Sequence, residues 1–366
     1  MVRILRGLAH KYFSDEEAVI LSLILLAGTV FVIWFGAMLA PVIASLIIAF
    51  ILQGLVTKLN KLGIPEMVSI IGVFVVFLGV LVGFLFGLLP LVWTQVTNLA
   101  GETPRIIREM QSYLELLPEE YPQLISVEAV NTLYQQVSTE VGQLTQWLVS
   151  FSLSSIPDLV ALLIYMVLVP ILVFFFLKDK EVLLGAVARL LPPQRPLMLK
   201  IWHEVNRQCA NYVRGKAVEI LIVGGATYLA FKLLGMPYAA LLSLLVGLSV
   251  VVPYIGAAVV TIPVAMIGLF AFGWSTHFIW VMVVYGVIQA LDGNVLVPLL
   301  FSEVNNLHPV AIIVAVLFFG GIWGLWGVFF AIPLATLLKA VFAAWPVKEI
   351  TPPPTDELAS NPVREP

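Results

Sequence analysis

Charge is what this chain has least of. Only 11% of its residues are Asp, Glu, Lys or Arg, while 61% are hydrophobic. Soluble domains are nearer a quarter charged, so the composition excludes an ordinary soluble protein and points to the membrane class. Cysteine is almost missing: Cys209 stands alone, which excludes an internal disulfide and a Cys-based metal cluster. Catalytic signatures are missing too. There is no HExxH, no Walker-type glycine loop and no GxSxG elbow. "GLSV" around Ser249 lacks the Gly expected after an intramembrane nucleophile, and the lone Asp292 forms no aspartyl dyad. No enzyme activity, metal or cofactor is therefore expected. A net charge of -3 offers nothing for nucleic acid. No repeat of 20 to 50 residues is visible. The first apolar run follows Asp15, Glu16 and Glu17 and is too long for a cleaved core, so no secretory signal is expected.

What the chain does have is apolar length. A spanning helix needs about 20 apolar residues, and candidates lie at about 18–35, 38–56, 67–92, 156–177 (with Pro170 as a kink) and 217–234. Glu219 and Lys232 fall near the two ends of the last of these, where both are expected to reach the interface. The loops orient the set. Lys178 to Lys216 holds eight Lys/Arg against three acids, the mark of a cytoplasmic link. Trp93 to Ser152 holds two Arg against seven Glu and reads as external. Arg3, Arg6 and Lys11 place the amino terminus inside, Lys58 and Lys61 the second loop, and Lys339 and Lys348 the carboxyl terminus.

The expected fold is thus an all-α polytopic membrane protein with about eight membrane-embedded segments. Its parts are N-terminal membrane helices at 1–92, an external helical insert at 93–152, and a fourth span with a basic cytoplasmic link at 153–216. A transport core at 217–345 and a Pro-rich, disordered tail at 346–366 complete it. In the insert, Val127, Val130, Tyr134, Val137, Val141, Leu144 and Leu148 form a heptad seam. It packs either on the neighbouring helix with Ile106, Ile107, Met110 and Leu114 or on another subunit. The basic link is broken at Pro192 and Pro193. Its charges either meet anionic lipid headgroups or only set topology.

Two later stretches have the wrong length. Ala239–Ala271 is 33 residues and Val310–Leu338 is 29; a straight helix of the first length would reach about 50 Å, against a hydrocarbon core of about 30 Å. Both are interrupted, the first at Pro253, Gly256 and Pro263, the second at Gly320, Gly321, Gly324, Gly327 and Pro333. The pieces "YIGAAVVTIPVA" and "LWGVFFAIPLA" resemble each other. Corresponding broken segments in two halves point to a transporter site. Two oppositely oriented re-entrant hairpins satisfy the loop parity, and so do two tilted full spans. Under the hairpin reading a cavity is expected, because irregular backbone at that depth must line one or be buried in protein.

Between Leu233 and Leu338 the only formally charged side chains are Asp292 and Glu303. A carboxylate near a helix centre raises the insertion cost by roughly 2.5–3.5 kcal/mol. Gln289 precedes Asp292 on the same helical face and Asn294 follows it. Gly293 would let another backbone approach, and Pro298 breaks the helix and frees the carbonyl of Asn294. Together they could hold a small polar solute, a cation or a proton; a purely structural role in interhelical hydrogen bonds is the alternative. Glu303 and His308, which flank "VNNL" just before Pro309, are further candidates for binding solute or proton, an interfacial turn being the alternative; His277 is expected at an interface, and Tyr254 either in a cavity wall that binds solute or in packing.

"YVRGK" (212–216), "LGMPYAALL" (234–242), "VPYIG" (252–256), "DGNVLVP" (292–298), "LHP" (307–309) and "GGIWGLWGVFFAIPL" (320–334) follow one another. In that order and spacing they resemble the autoinducer-2 exporter family. The resemblance covers nearly the whole chain, including "FLKD" (176–179). It implies a bacterial inner-membrane transporter that forms homo-oligomers, a pentamer being the suspected number. It further implies export of the furanone-type quorum signal autoinducer-2 or exchange of Na⁺ for H⁺. The positions it carries over are Pro253, Gly256, Gly293, Asn294, Pro298, His308, Pro309, Gly320, Gly321 and Pro333. Many members have Gly and then Lys or Arg shortly before "LHP", where this chain has Phe301, Ser302 and Glu303. That departure favours a neutral or cationic solute over an anion.

Three readings follow: a proton-coupled secondary transporter moving a small polar solute outward, a Na⁺/H⁺ antiporter using the same acid, and a non-transporting membrane scaffold. The partners expected are the solute, a proton or Na⁺, the bilayer and other copies of the chain, with no nucleic acid.

Overall fold

The computed structural model describes residues 16–120, most positions between 126 and 143, and 156–193, 195–253, 255–301 and 307–345. Among them there is no strand. Six helical stretches are long and apolar enough to cross a membrane, and two apolar helices, Ile164–Lys178 and Ala239–Ser249, are shorter. The protein is an all-helical polytopic membrane protein.

Helix α1, Glu16–Lys61, contains the first two expected spans. It cannot be straight. The Glu17 carboxylate accepts a hydrogen bond from the Met198 amide at 2.7 Å, and a Cβ on Gly54 would lie 2.7 Å from the Arg214 guanidinium. Those α1 residues would be about 55 Å apart along a straight helix, while Met198 and Arg214 are at most about 24 Å apart. The helix therefore bends sharply, and Pro41, whose ring crowds the carbonyl four residues back at Ala37, supplies the cause between the spans Glu17–Gly36 and Met38–Lys61.

Helix α2 (Glu66–Gly83) passes through a five-residue π turn, Phe84–Leu88, into α3 (Leu89–Glu120). The helix thus runs unbroken past residue 92, where an external segment was expected to begin. Of the expected seam, Val130 is buried, Tyr134 half-buried and Val127 exposed; Val137, Val141, Leu144 and Leu148 lie outside the described residues. Helix α4 (Ile156–Lys178) carries Pro170 without interruption, and α5 (Lys180–Arg189) ends before the two prolines at 192 and 193. Ala49, Leu52 and Val56 of α1, Ile70 and Val73 of α2, and Val173 and Leu177 of α4 share one apolar core.

Helix α6, Pro196–Leu233, joins the basic link and the fifth expected span in a single rod of 38 residues. Gly235, at φ +65, ends it. Helix α7 (Ala239–Ser249) then runs back along α6, so close that a Cβ on Gly247 would lie 3.1 Å from the Gly224 Cα. Eleven residues reach about 16 Å, half of a hydrocarbon core. After a turn at 250–254 the chain reverses into α8, Ile255–Phe272, which includes Pro263 without a break. A Cβ on Gly256 would stand 1.8 Å from the Ser249 carbonyl oxygen, so only glycine permits this reversal. Helix α9 (Thr276–Leu291), a second π turn (Asp292–Leu296) and α10 (Val297–Phe301) follow. The α7–α8 hairpin opens where α6 ends and α9 starts: His277 Nε2 is 2.7 Å from the Leu234 carbonyl, and its ring meets Phe272 at 4.3 Å. Val223 and Phe231 of α6, Leu242 and Val246 of α7, Val264 of α8 and Val281 of α9 are core residues of this half.

The last element, α11, spans Pro309–Ala344 and consists of two arms joined at Gly324, where φ is 57° and ψ is -135°. A Cβ on Gly327 would stand 1.8 Å from the Phe319 carbonyl oxygen, and one on Gly320 would meet the Val328 side chain at 2.8 Å. The two arms are folded against each other, as α7 and α8 are, with a glycine seated on the carbonyl of the preceding arm in both cases. Gly321 has open space around it, and Pro333 is buried in the second arm.

Candidate functional site

Among the described residues, the most buried charges lie at the tip of the α7–α8 hairpin. Lys216 and Glu219 are three residues apart on α6, one turn along the same face, and their side chains are only 6% and 2% exposed. The Lys216 ammonium donates to Glu219 Oε1 at 3.1 Å, and Oε2 lies 2.8 Å from the same nitrogen without hydrogen-bonding geometry. It donates also to the Val250 carbonyl at 2.7 Å and sits 5.2 Å from the centre of the Phe301 ring. Phe301 reaches that place because Gly215 leaves room: a Cβ there would fall 2.6 Å from its ring. One cation thus touches α6, the hairpin tip and α10. Glu219 is not at the interface, as its position near the end of a span suggested; it is the buried half of an ion pair. Lys232, at the far end of α6, is exposed over the ring of Tyr228.

Asp292 is half-buried and opens the second π turn. Its Oδ1 is buried with no hydrogen-bond partner. Lys216 and Glu219 both lie within electrostatic reach of it, and α6 packs on this π turn. The structure therefore sets the intramembrane acid against a Lys–Glu pair on another helix. Tyr212, one turn before Lys216, is buried with an unpartnered hydroxyl and also acts electrostatically with Glu219.

The expected companions of Asp292 are placed differently. Gln289 donates to the Tyr285 hydroxyl at 3.2 Å, and that hydroxyl is 3.0 Å from Thr261 Oγ1 on α8, so Gln289 belongs to an α8–α9 bridge. Tyr285, Gln289 and Asp292, at i, i+4 and i+7, still line one stripe of α9 and its extension. Asn294 is exposed and turns back to donate to the Ala290 carbonyl at 2.8 Å. A Cβ on Gly293 would meet nothing within 4 Å, so no second backbone packs against that face. Pro298 does not break its helix either. The π turn widens the backbone just before it, relieving the clash and lost amide that proline imposes on an α-helix. The first π turn stands in the same place relative to Pro90.

His308 is exposed and caps α11, its Nδ1 accepting from the Val310 amide at 3.3 Å, with Pro309 in the first turn. Pro253 is half-buried in the hairpin turn. Tyr254 and Glu303 lie outside the described residues. One cavity of about 840 Å³ lies between α6 and the end of α11, and one of about 430 Å³ against the bent helix α1; neither of these two is beside Asp292. No cluster of His, Cys, Asp and Glu able to hold a metal occurs among the described residues. Sequence reasoning missed Lys216, Glu219, Tyr285 and Thr261; the i, i+3 spacing of Lys216 and Glu219 was the available signal.

Comparison with known proteins agrees with this architecture. The family described as AI-2E family transporter matches residues 21–347. PerM of Escherichia coli strain K12, named as a permease, is 44% identical over 350 residues, covering 96% of this chain and 99% of PerM. YueF of Bacillus subtilis strain 168, named as a transport protein, is 26% identical over 324 residues, 85% of each chain. YrrI of the same organism, named likewise, is 25% identical over 305 residues, 82% of this chain and 84% of its own.

Proposed function

The chain belongs to the AI-2E transporter family and is a membrane transport protein, and from that premise we propose that it is a secondary transporter exporting a small polar solute of the autoinducer-2 kind, coupled to protons through Asp292. The observation that carries this reading is the unpartnered, buried Oδ1 of Asp292 in the field of the Lys216–Glu219 pair. A buried carboxylate without a partner is costly. It is satisfied by taking a proton, by accepting from a solute hydroxyl, or by drawing Lys216 away from Glu219.

The last of these couples chemistry to movement. Lys216 also holds the Val250 carbonyl at the hairpin tip, so a change in its partners changes how firmly that tip is docked. Proton or solute arriving at Asp292 leaves Lys216 with Glu219 and Val250; their departure sets two carboxylates in competition for one ammonium. The two folded-back helix pairs, α7–α8 and the arms of α11, are read as oppositely oriented re-entrant hairpins, the arrangement of inverted-repeat transporters. The protein is placed in the bacterial inner membrane, its basic ends at 58–61, 178–216 and 339 toward the cytoplasm, as a homo-oligomer.

Reconstituted protein in proteoliposomes with an imposed pH gradient, offered autoinducer-2, tests the reading. Wild-type flux that follows the gradient, and its loss in Asp292→Asn with unchanged folding, is the expected result. Equal flux in the variant removes Asp292 from the mechanism, and a pH-dye response to Na⁺ without solute movement replaces solute export by cation antiport.

A further inference from the structure

The cavity of about 840 Å³ between α6 and the end of α11 plays no part in the transport reading. Its lining is mixed: Leu199, Ala340, Ala343 and Ala344 are apolar, and Lys200, Arg207 and Lys339 stand among them with His203. Against these bases the wall holds one acid, Glu204. It is already engaged, bridged to Arg207 at 3.1 Å and accepting from Gln208. Three bases against one acid leave the lining formally net positive. Within the wall, the Thr336 side chain is 3% exposed and its hydroxyl has no hydrogen-bond partner.

From this arrangement we propose that the cavity is a binding site for one anionic phospholipid, independent of the solute pathway. Basic pockets between membrane helices on the side rich in Lys and Arg suit phosphate headgroups, and α6 at this height belongs to the basic link. The phosphate sits among Lys200, Arg207 and Lys339, the Thr336 hydroxyl donates to a headgroup or ester oxygen, and an acyl chain covers Leu199 and the three alanines. A soluble phosphate would use the bases and leave these apolar residues uncovered, so the apolar part of the lining decides for a lipid. The site bridges the amino-terminal half of α6 and the second arm of α11, two elements whose other ends converge on the Tyr212–Phe301 core.

Full-length protein in nanodiscs with spin-labelled phosphatidylglycerol or phosphatidylcholine tests this through the fraction of motionally restricted label. Wild type is expected to prefer phosphatidylglycerol. Lys200→Gln with Lys339→Gln is expected to lower that preference by about 25-fold, at roughly fivefold per base near a headgroup. Lys180→Gln with Arg189→Gln removes the same charge from α5 and is expected to leave the preference intact. Equal losses in both double variants, or full competition by inorganic phosphate, overturn the proposal. Should the first variant not fold, photo-crosslinking of azido-phosphatidylglycerol to the unaltered chain decides: label within 199–208 and 336–344 supports the site, and label spread evenly over the basic link refutes it.

Discussion

The Lys216 ammonium donates to the Val250 carbonyl at 2.7 Å, across 34 residues of sequence. That bond ties the middle of α6 to the tip of the α7–α8 hairpin, and the Glu219 carboxylate holds the same nitrogen from the next turn. A buried ion pair costs desolvation on both members, and removing one leaves the other uncompensated.

Lys216→Met is therefore expected to destabilise the protein by about 3 kcal/mol or more, read as a lowered unfolding temperature in detergent. Lys216→Met combined with Glu219→Leu is expected to recover most of the loss, because Glu219 is no longer left as an uncompensated buried charge. A double variant as unstable as the single one would show that the Val250 bond, and not the charge pair, carries the stability.

The folded-back turns rest on glycines that touch carbonyl oxygens. Gly256→Ala and Gly327→Ala each push a methyl to 1.8 Å from backbone oxygen, and each is expected to cost about 1–3 kcal/mol or more through backbone displacement. Gly293→Ala, with open space around it, is expected to stay within about 0.5 kcal/mol. Chemical unfolding of the three variants side by side checks the contrast, and a Gly293→Ala as damaging as the others would contradict the packing.

Tyr285→Phe removes the hydroxyl shared by Thr261 and Gln289 and is expected to destabilise by about 1 kcal/mol. It should also lower transport, since α8 and α9 lose their polar bridge beside Asp292. Flux and melting temperature measured on the same preparation separate the two effects; a variant with wild-type values in both would make the bridge dispensable.

Cys209 lies on α6 before its apolar part and is half-buried. Burial pushes its thiol from 9.0 up to about 11, and the thiolate is the reactive form. At pH 7 the thiolate fraction is then lower by about a hundredfold, a factor of ten per unit. Maleimide labelling of the folded protein is expected to be far slower than after unfolding in detergent, and to rise steadily as the pH is raised toward 11. Equal rates in the two states would place the thiol in open solvent.

Much of the fold was legible in the residues. Apolar runs, their lengths and the glycine and proline interruptions pointed to an all-helical membrane protein with two irregular stretches, and helices occupy those runs. Boundaries were less legible. Helix α6 begins at Pro196, well before the apolar part, because charged and amphipathic residues continue a helix as readily as apolar ones. Helix α1 bends where its two apolar runs suggested separate helices, since a proline inside a long helix redirects it without ending it. At the site, Asp292 was conspicuous because no other charge surrounds it in sequence. Lys216 was not, because it closes a segment where basic residues are frequent and reads as one more topology charge.

By itself the sequence determined that the chain enters a membrane, where its interruptions fall, and that one carboxylate must be accommodated among apolar residues. Composition and spacing suffice for these, because transfer energies and helix geometry act on local segments. Only the tertiary structure decided which groups meet that carboxylate. Gln289 and Asn294, its neighbours in sequence, are occupied by Tyr285 and Ala290, while Lys216 and Glu219 come from a helix more than seventy positions earlier. Pairing across helices depends on how a glycine at 215 admits a phenyl ring and a glycine at 256 admits a reversed chain, and such contacts exist only once the helices have packed.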